Sequence, residues 1–334
     1  MWKKMLLFSM IFFVGAALVI YATGPGTGAE AIKGRITLYT SVPQPIVDRL
    51  QNEFMKKYPG ITLDAFRSDT NAVIAKMMTE HQAGQIMGDL VWVAEPSTYE
   101  EFKDQGLLLK IAPPEAANLD PSMKDPEGYY YAARLINMVI AYNTLKVTDP
   151  PKSWEDLVTK NYGSMGYPTP LRSGASVAAT ETLVSRFGWD YFEKFKRNGG
   201  MQLQSNATVS DMILKGEHSV GVILDFMVRP LMAKGSPINY VWPAEGTIFI
   251  PSPIAVLKNT KNLRAAELFV NYLLSREGQE TVVKVGDFYP VRKDVAAPAG
   301  APPIAGIRKL PTDWKAVKDN TKAHNERWTK IFGR

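Results

Sequence analysis

Short extended segments alternate with amphipathic helix patterns along most of this chain, and that alternation constrains the fold more than any other feature. Residues 35–40 alternate like a strand and lead into a helix pattern carried by Val47, Leu50, Phe54 and Tyr58, which Pro59-Gly60 ends. Residues 61–66 and 71–83 repeat the pair, with Val73, Ile74, Met77 and Met78 spaced to face inward. Asp89-Leu90-Val91-Trp92-Val93-Ala94 is a short apolar run of the kind a central parallel strand uses, and Ser97 is placed to cap the helix after it. A second series follows: a strand ending at Met165-Gly166-Tyr167-Pro168, helices over 173–187, 189–197 and 206–215, a strand over 219–224, a helix over 225–234 and a strand over 238–242. Residues 254–257 return to the first series, with a helix over 263–275, a Pro-rich connector over 298–303 and a terminal helix over 312–331. The chain is therefore α/β, built on mostly parallel sheets flanked by helices.

Residues 129–142 are apolar and free of turn residues, so they read as an extended crossover between two lobes. A chain of 334 residues is long enough to give each lobe a core. The expected division is residues 1–31 as an export signal, 35–133 with 250–334 as the first lobe, and 134–249 as the second. Ligands of open α/β sheets sit beyond the carboxyl ends of the strands. Two lobes joined by extended strands can set those ends against each other across a cleft that closes by a hinge.

Two stretches stand where a strand hands over to a helix: Phe66-Arg67-Ser68-Asp69-Thr70 and Leu171-Arg172-Ser173-Gly174-Ala175-Ser176. A helix start carries unpaired backbone N–H groups and the positive end of the dipole, which suits an anion. Ser41, Ser68 and Thr70 are candidate donors from one lobe; Ser173, Gly174 and Ala175 are candidates from the other, with Arg67 and Arg172 adding charge. Ser and Thr at such positions also cap their own helices, for about 1 kcal/mol each. The two roles coexist. Three acids, Glu95, Asp225 and Glu245, fall at strand ends or loops, where a carboxylate suits an ammonium or paired hydroxyls. Asp225 is equally placed to cap the helix after it, and Asn206 to bond a ligand or cap its own.

Several classes are disfavoured. The net charge of +6 is spread without the basic runs of a nucleic-acid binder. Trp2-Lys3-Lys4, an apolar run over 6–22 and Ala29-Glu30-Ala31 read as a cleavable secretory signal, with an uncleaved anchor as the alternative. Cysteine is absent, which removes thiol catalysis, thiolate zinc sites and disulfides. His81, His218 and His324 lack the partners of a catalytic base, and no nucleophile turn, phosphate-binding P-loop or zinc-helix motif occurs. A secreted phosphate-ester hydrolase is the enzymatic alternative and finds no nucleophile or metal cluster here.

The order of motifs resembles the periplasmic solute-binding proteins of ABC importers, in the branch grouped with ferric-iron binders. The residues that carry the resemblance are Ile36-Thr37-Leu38-Tyr39-Thr40-Ser41, Phe66-Arg67-Ser68-x-Thr70, Asp89-Leu90-Val91-Trp92 and Arg172-Ser173-Gly174-Ala175. Gly216-Glu217, Asp225-Phe226-Met227, Lys234-Gly235-Ser236-Pro237 and Pro243-Ala244-Glu245-Gly246 follow in sequence. The resemblance implies a type II periplasmic-binding-protein fold, a small solute held by hinge closure, no cofactor, a monomer in the periplasm, and delivery to an ABC permease of the cytoplasmic membrane.

It also implies two ligand classes. Iron binders of this family hold the metal with a histidine, a glutamate and adjacent tyrosines; the matching places here read Val42-Pro43, Ala94-Glu95 and Asp225-Phe226. A hard ferric ion needs several anionic oxygens, so this set disfavours it. Tyr129-Tyr130-Tyr131 lies on the crossover, where packing is the commoner role. Arg67 to Thr70 looks like the branch that takes 2-aminoethylphosphonate or sugar phosphates. A phosphonate or phosphorylated organic anion is the expected solute, with ferric iron as the alternative.

Overall fold

The computed structural model describes residues 32–333; the expected export segment lies outside them. The first lobe begins with β1 (Gly34–Thr40), α1 (Gln44–Lys57), β2 (Ile61–Arg67), α2 (Thr70–Gln82), β3 (Leu90–Trp92), α3 (Ser97–Asp104) and β4 (Leu108–Leu109). β5 (Tyr130–Asn143) leads into the second lobe. There follow α4 (Asp156–Thr159), β6 (Met165–Pro168), α5 (Gly174–Phe187), α6 (Asp190–Arg197), β7 (Gly200–Leu203), α7 (Asn206–Leu214), β8 (Val220–Leu224), α8 (Asp225–Ala233) and β9 (Ile238–Val241). β10 (Thr247–Leu257) returns, followed by α9 (Leu263–Leu274), α10 (Arg276–Gly286), β11 (Lys309–Leu310) and α11 (Trp314–Phe332).

The strands form one continuous sheet in the order β2-β1-β3-β10-β5-β8-β6-β7. β1 pairs in parallel with β2 and β3, and β6 in parallel with β7 and β8. Between these blocks run β5 and β10, antiparallel to each other from Tyr130 opposite Ala255 to Met138 opposite Ile248, with one irregularity between Ser252 and Pro253. Residues 131–141 are buried without interruption, which explains why this stretch reads as apolar throughout rather than alternating. The crossover is therefore no linker but the central pair of the sheet.

Two expectations on organisation are corrected. The boundaries near 134 and 250 fall inside β5 and β10, so each of these strands belongs to both lobes. The terminal helix does not belong to the first lobe alone. Trp328 of α11 is buried against Tyr167 and Phe192 of the second lobe, and its indole N–H donates to Gln202 Oε1 at 2.8 Å. Lys318 of the same helix pairs with Asp104 of α3, so α11 straddles both lobes. β7 and α10 escaped the sequence reading. β7 is an edge strand of four half-polar residues opened by a glycine, and α10 follows α9 across a single Ser275 that ends one helix and caps the next.

Two histidines tie distant parts of the second lobe. His324 lies 3.1 Å from Glu181 of α5, and His218 bonds Ser164 Oγ across 54 residues. Burial pulls both imidazoles below their ordinary value, opposed by the charges of Glu181 and Glu217 respectively. The unfolded chain takes up these protons at about pH 6.5, whereas the folded chain resists them until lower pH. Their contribution is thus fully present above about pH 6.5 and is lost as pH falls through that region. Urea midpoints measured at pH 7.5 and 5.5 should differ in this sense, and the difference should shrink in the double variant His218→Gln, His324→Gln. An unchanged difference would refute the assignment.

Candidate functional site

Six strand ends converge on one cavity of about 210 Å³ between the lobes. Ser41 and Pro43 follow β1; Arg67, Asp69 and Thr70 follow β2; Ala94 follows β3. From the second lobe come Arg172, Ser173 and Ala175 after β6, Gln204 to Ala207 after β7, and Leu224 with Phe226 and Met227 after β8. Helices α1, α2, α5, α7 and α8 all start within two residues of this lining, so their positive ends are gathered around one space.

Two starts are joined directly. Ser173 Oγ accepts the Ser176 N–H at 3.3 Å as the cap of α5, and also accepts from Asn206 Nδ2 of α7 at 3.3 Å. Ser205 caps α7 by accepting from Thr208 N–H at 3.1 Å. Both capping and lining roles therefore fall on the same residues. Asn206 Oδ1 is buried and finds no partner among the described residues.

The floor is set by a residue the sequence reading missed. Arg134 lies in β5, 2 % exposed, with its guanidinium between the rings of Phe288 and Trp92, whose centroids are 4.4 and 5.3 Å away. Its Nε donates to Ser252 Oγ at 3.1 Å, and Ser252 Oγ in turn donates to the Val93 carbonyl at 3.0 Å. Nη1 is buried and without a partner among the described residues. Burial pulls the group down to about 9, so at neutral pH it keeps its charge. A buried charged donor left unpaired costs upwards of about 1–3 kcal/mol. The available signal was a lone arginine inside an otherwise apolar run, Ala132-Ala133-Arg134-Leu135-Ile136.

The lobes touch at the mouth. Asp69 accepts from Arg172 Nε at 2.9 Å and Nη2 at 2.6 Å, and Asn71 Nδ2 donates to the Leu171 carbonyl at 2.8 Å. The ion pair is half exposed on the arginine, so it is worth about 0–1 kcal/mol. Gly174 faces the other lobe at close range: a Cβ there would lie 2.9 Å from Thr70 Cγ2 and 3.0 Å from the Ala94 carbonyl oxygen. The stretches 66–70 and 171–176 thus approach each other where the lobes touch.

Of the expected site residues, Ser41, Arg67, Thr70, Arg172, Ser173, Ala175 and Asn206 line the cavity. Ser68 and Gly174 adjoin it, the first spending its N–H on the Thr40 carbonyl. The three acids are corrected. Glu95, at φ 70°, turns back to accept from the N–H and hydroxyl groups of Ser97 and Thr98, capping α3. Glu245 accepts from the N–H groups of Trp154 at 3.0 Å and Glu155 at 3.2 Å. Asp225 takes Asn137 N–H at 3.0 Å, Asn137 Nδ2 at 3.1 Å and Arg229 Nη1 at 2.7 Å, while Arg229 Nε reaches Asp287 at 2.8 Å in the first lobe. None of the three carboxylates lines the cavity. Tyr130 and Tyr131 likewise turn away, to Glu100 and to the Ile111 carbonyl.

Close approach at Gly174 gives a direct test of closure. Gly174→Val should prop the lobes apart, enlarge the radius of gyration in small-angle scattering, and leave the fold of each lobe intact. Scattering identical to the parent chain would show that the contact does not limit closure.

Residues 87–320 match the family described as bacterial extracellular solute-binding protein. A putative 2-aminoethylphosphonate-binding periplasmic protein of Salmonella typhimurium is 23% identical over 304 residues, covering 85% of this chain and 87% of the relative. The fructose-6-phosphate-bound periplasmic binding protein AfuA of Actinobacillus pleuropneumoniae superposes with a TM-score of 0.82 at 24% identity, over 90% of this chain and 99% of the other. Iron-bound HitA of Pseudomonas aeruginosa gives 0.77 at 22% identity, over 89% and 99%. The fold shared with these neighbours is that of type II periplasmic binding proteins, and the family's members bind substrates rather than transform them. A two-lobed sheet closed over a cavity of helix starts, with the family match spanning most of its length, makes this chain a member of the bacterial extracellular solute-binding protein family.

Proposed function

We propose that this solute-binding protein serves an ABC importer by capturing a small phosphonate or phosphorylated organic anion and closing its lobes on it. The observation that carries the reading is Arg134, a buried guanidinium on the cavity floor whose Nη1 lacks a partner among the described residues. Around it stand hydroxyls of Ser41, Thr70 and Ser173 and the starts of five helices, donors suited to a tetrahedral oxyanion. Arg67 and Arg172 add charge at the mouth. The printed ligands of two relatives, 2-aminoethylphosphonate and fructose 6-phosphate, both carry such a group.

Ferric iron fits this lining less well. The cavity presents three guanidinium groups and a single carboxylate, Asp69, which Arg172 already holds. No tyrosine or histidine lines it among the described residues. A hard trivalent cation needs the reverse balance. Export to the periplasm, a monomeric state and delivery to a permease in the cytoplasmic membrane belong to the same reading.

Arg134→Met keeps the stem packed between Phe288 and Trp92 and removes the charge. Calorimetric titration of the ligand-free chain with inorganic phosphate and simple alkylphosphonates should show affinity falling by at least about 30-fold, the equivalent of about 2 kcal/mol. The unfolding midpoint should stay level or rise, because a buried unpaired charge is gone. Phosphonate binding equal to that of the parent chain would remove Arg134 from the site.

A further inference from the structure

One side of the cavity lining is apolar. β5 puts Arg134 and Ile136 two residues apart on one face of the sheet, both lining the cavity, so an aliphatic side chain adjoins the buried cation. Leu224, Phe226 and Met227 extend this surface from the second lobe, and Pro43 and Ala94 from the first. Phe226 packs edge-on against Phe288 at 4.5 Å, and Phe288 lies under the Arg134 guanidinium. The apolar wall and the cation site are therefore one packed unit.

What the cavity lacks is equally specific. Its one lining carboxylate, Asp69, is held by two guanidinium nitrogens of Arg172. Glu95, Asp225 and Glu245, the acids that a ligand ammonium or sugar hydroxyls would use, are spent on the protein itself. Asn206 Oδ1 is the one buried acceptor of the lining left without a partner among the described residues, and it sits beside Ser173 with the phosphoryl donors. Gln204, Ser41, Thr70 and Ser205 line the cavity as well, and such neutral oxygens accept hydroxyl hydrogens but do not neutralise an ammonium. The cavity of about 210 Å³ is also below the range of about 300–1,000 Å³ usual for larger ligands.

We infer that the organic half of the solute is short, uncharged and apolar, so that the cleft takes a short-chain alkylphosphonate or alkyl phosphate and discriminates against amino and polyhydroxy analogues. The inference rests on the reading of the cleft as a phosphoryl site. The sharpest comparison is an isosteric pair, n-propylphosphonate and 2-aminoethylphosphonate, which differ by a methyl in place of an ammonium.

The ligand-free chain is titrated calorimetrically with inorganic phosphate, methyl-, ethyl- and n-propylphosphonate, 2-aminoethylphosphonate, n-butyl phosphate and fructose 6-phosphate. Affinity should rise about fourfold for each buried methylene along the alkyl series. Propylphosphonate should bind at least tenfold more tightly than 2-aminoethylphosphonate, and butyl phosphate more tightly than fructose 6-phosphate. Equal or tighter binding of the amino or sugar compound overturns the inference and leaves the phosphoryl site standing. Failure of every phosphorus compound, inorganic phosphate included, overturns both.

Discussion

One buried charge organises this molecule. Arg134 sits on the strand that both lobes share, sandwiched by Phe288 and Trp92 and anchored through Ser252. A guanidinium in such a place is tolerated only where its remaining donors can meet an acceptor. The apolar sheet centre that makes β5 and β10 a stiff common spine is the same medium that makes the unpaired donor costly. Rigidity of the central strand pair and the cost of the unpaired donor thus have a single physical source.

The acids that the sequence offered as ligand readers help build the hinge instead. Asp225 at the start of α8 holds Asn137 of β5 and Arg229 of its own helix, and Arg229 reaches Asp287 in the first lobe. Tyr289 stacks on Arg229 with its centroid 5.2 Å from the guanidinium carbon. This chain of paired charges crosses from one lobe to the other close to the shared strands. Each carboxylate oxygen of Asp225 is occupied, which is how a fully buried acid avoids leaving lone pairs unmet. Removing Asp225 would leave the Asn137 N–H and side-chain amide without their acceptor and Arg229 held by Asp287 alone.

Much of this was legible before any coordinates. Strand–helix alternation fixed the two α/β series because periods of two and of 3.6 residues are local properties. The cradle stretches were legible because a Ser or Thr at a helix start is a cap, and caps lie at strand ends where clefts form. Seven of the twelve expected residues line the cavity because they sit at strand ends; of them only Ser173 caps its own helix through its side chain. The misses are long-range. Which way a carboxylate turns depends on partners such as Trp154, 91 residues from Glu245, or Asn137, 88 residues from Asp225. Arg134 is hidden in the sequence because the extended apolar run around it signals packing more strongly than its one charge signals a site.

The energetics of closure follow from the same inventory. Arg134 Nη1 and Asn206 Oδ1 are buried without partners among the described residues. Stranding them costs at least about 1–3 kcal/mol apiece, more for the charged group. The exposed Asp69–Arg172 pair returns only about 0–1 kcal/mol. On the proposed reading, an opening that lets water reach these groups would relieve the penalty and favour the open form without ligand. On that reading, an oxyanion that meets the Arg134 guanidinium only in the closed cleft would reverse the sign, whereas Asn206 Oδ1, an acceptor, needs a donor. Turning a 1:99 preference into 99:1 takes about 5.5 kcal/mol of such differential binding. Two buried polar groups, one of them charged, together with the helix starts gathered round them, are of the right order to supply it. On the proposed reading the apolar wall contributes only as far as closure buries the solute, so a phosphoryl group would govern whether the lobes close and the organic half how tightly they stay closed.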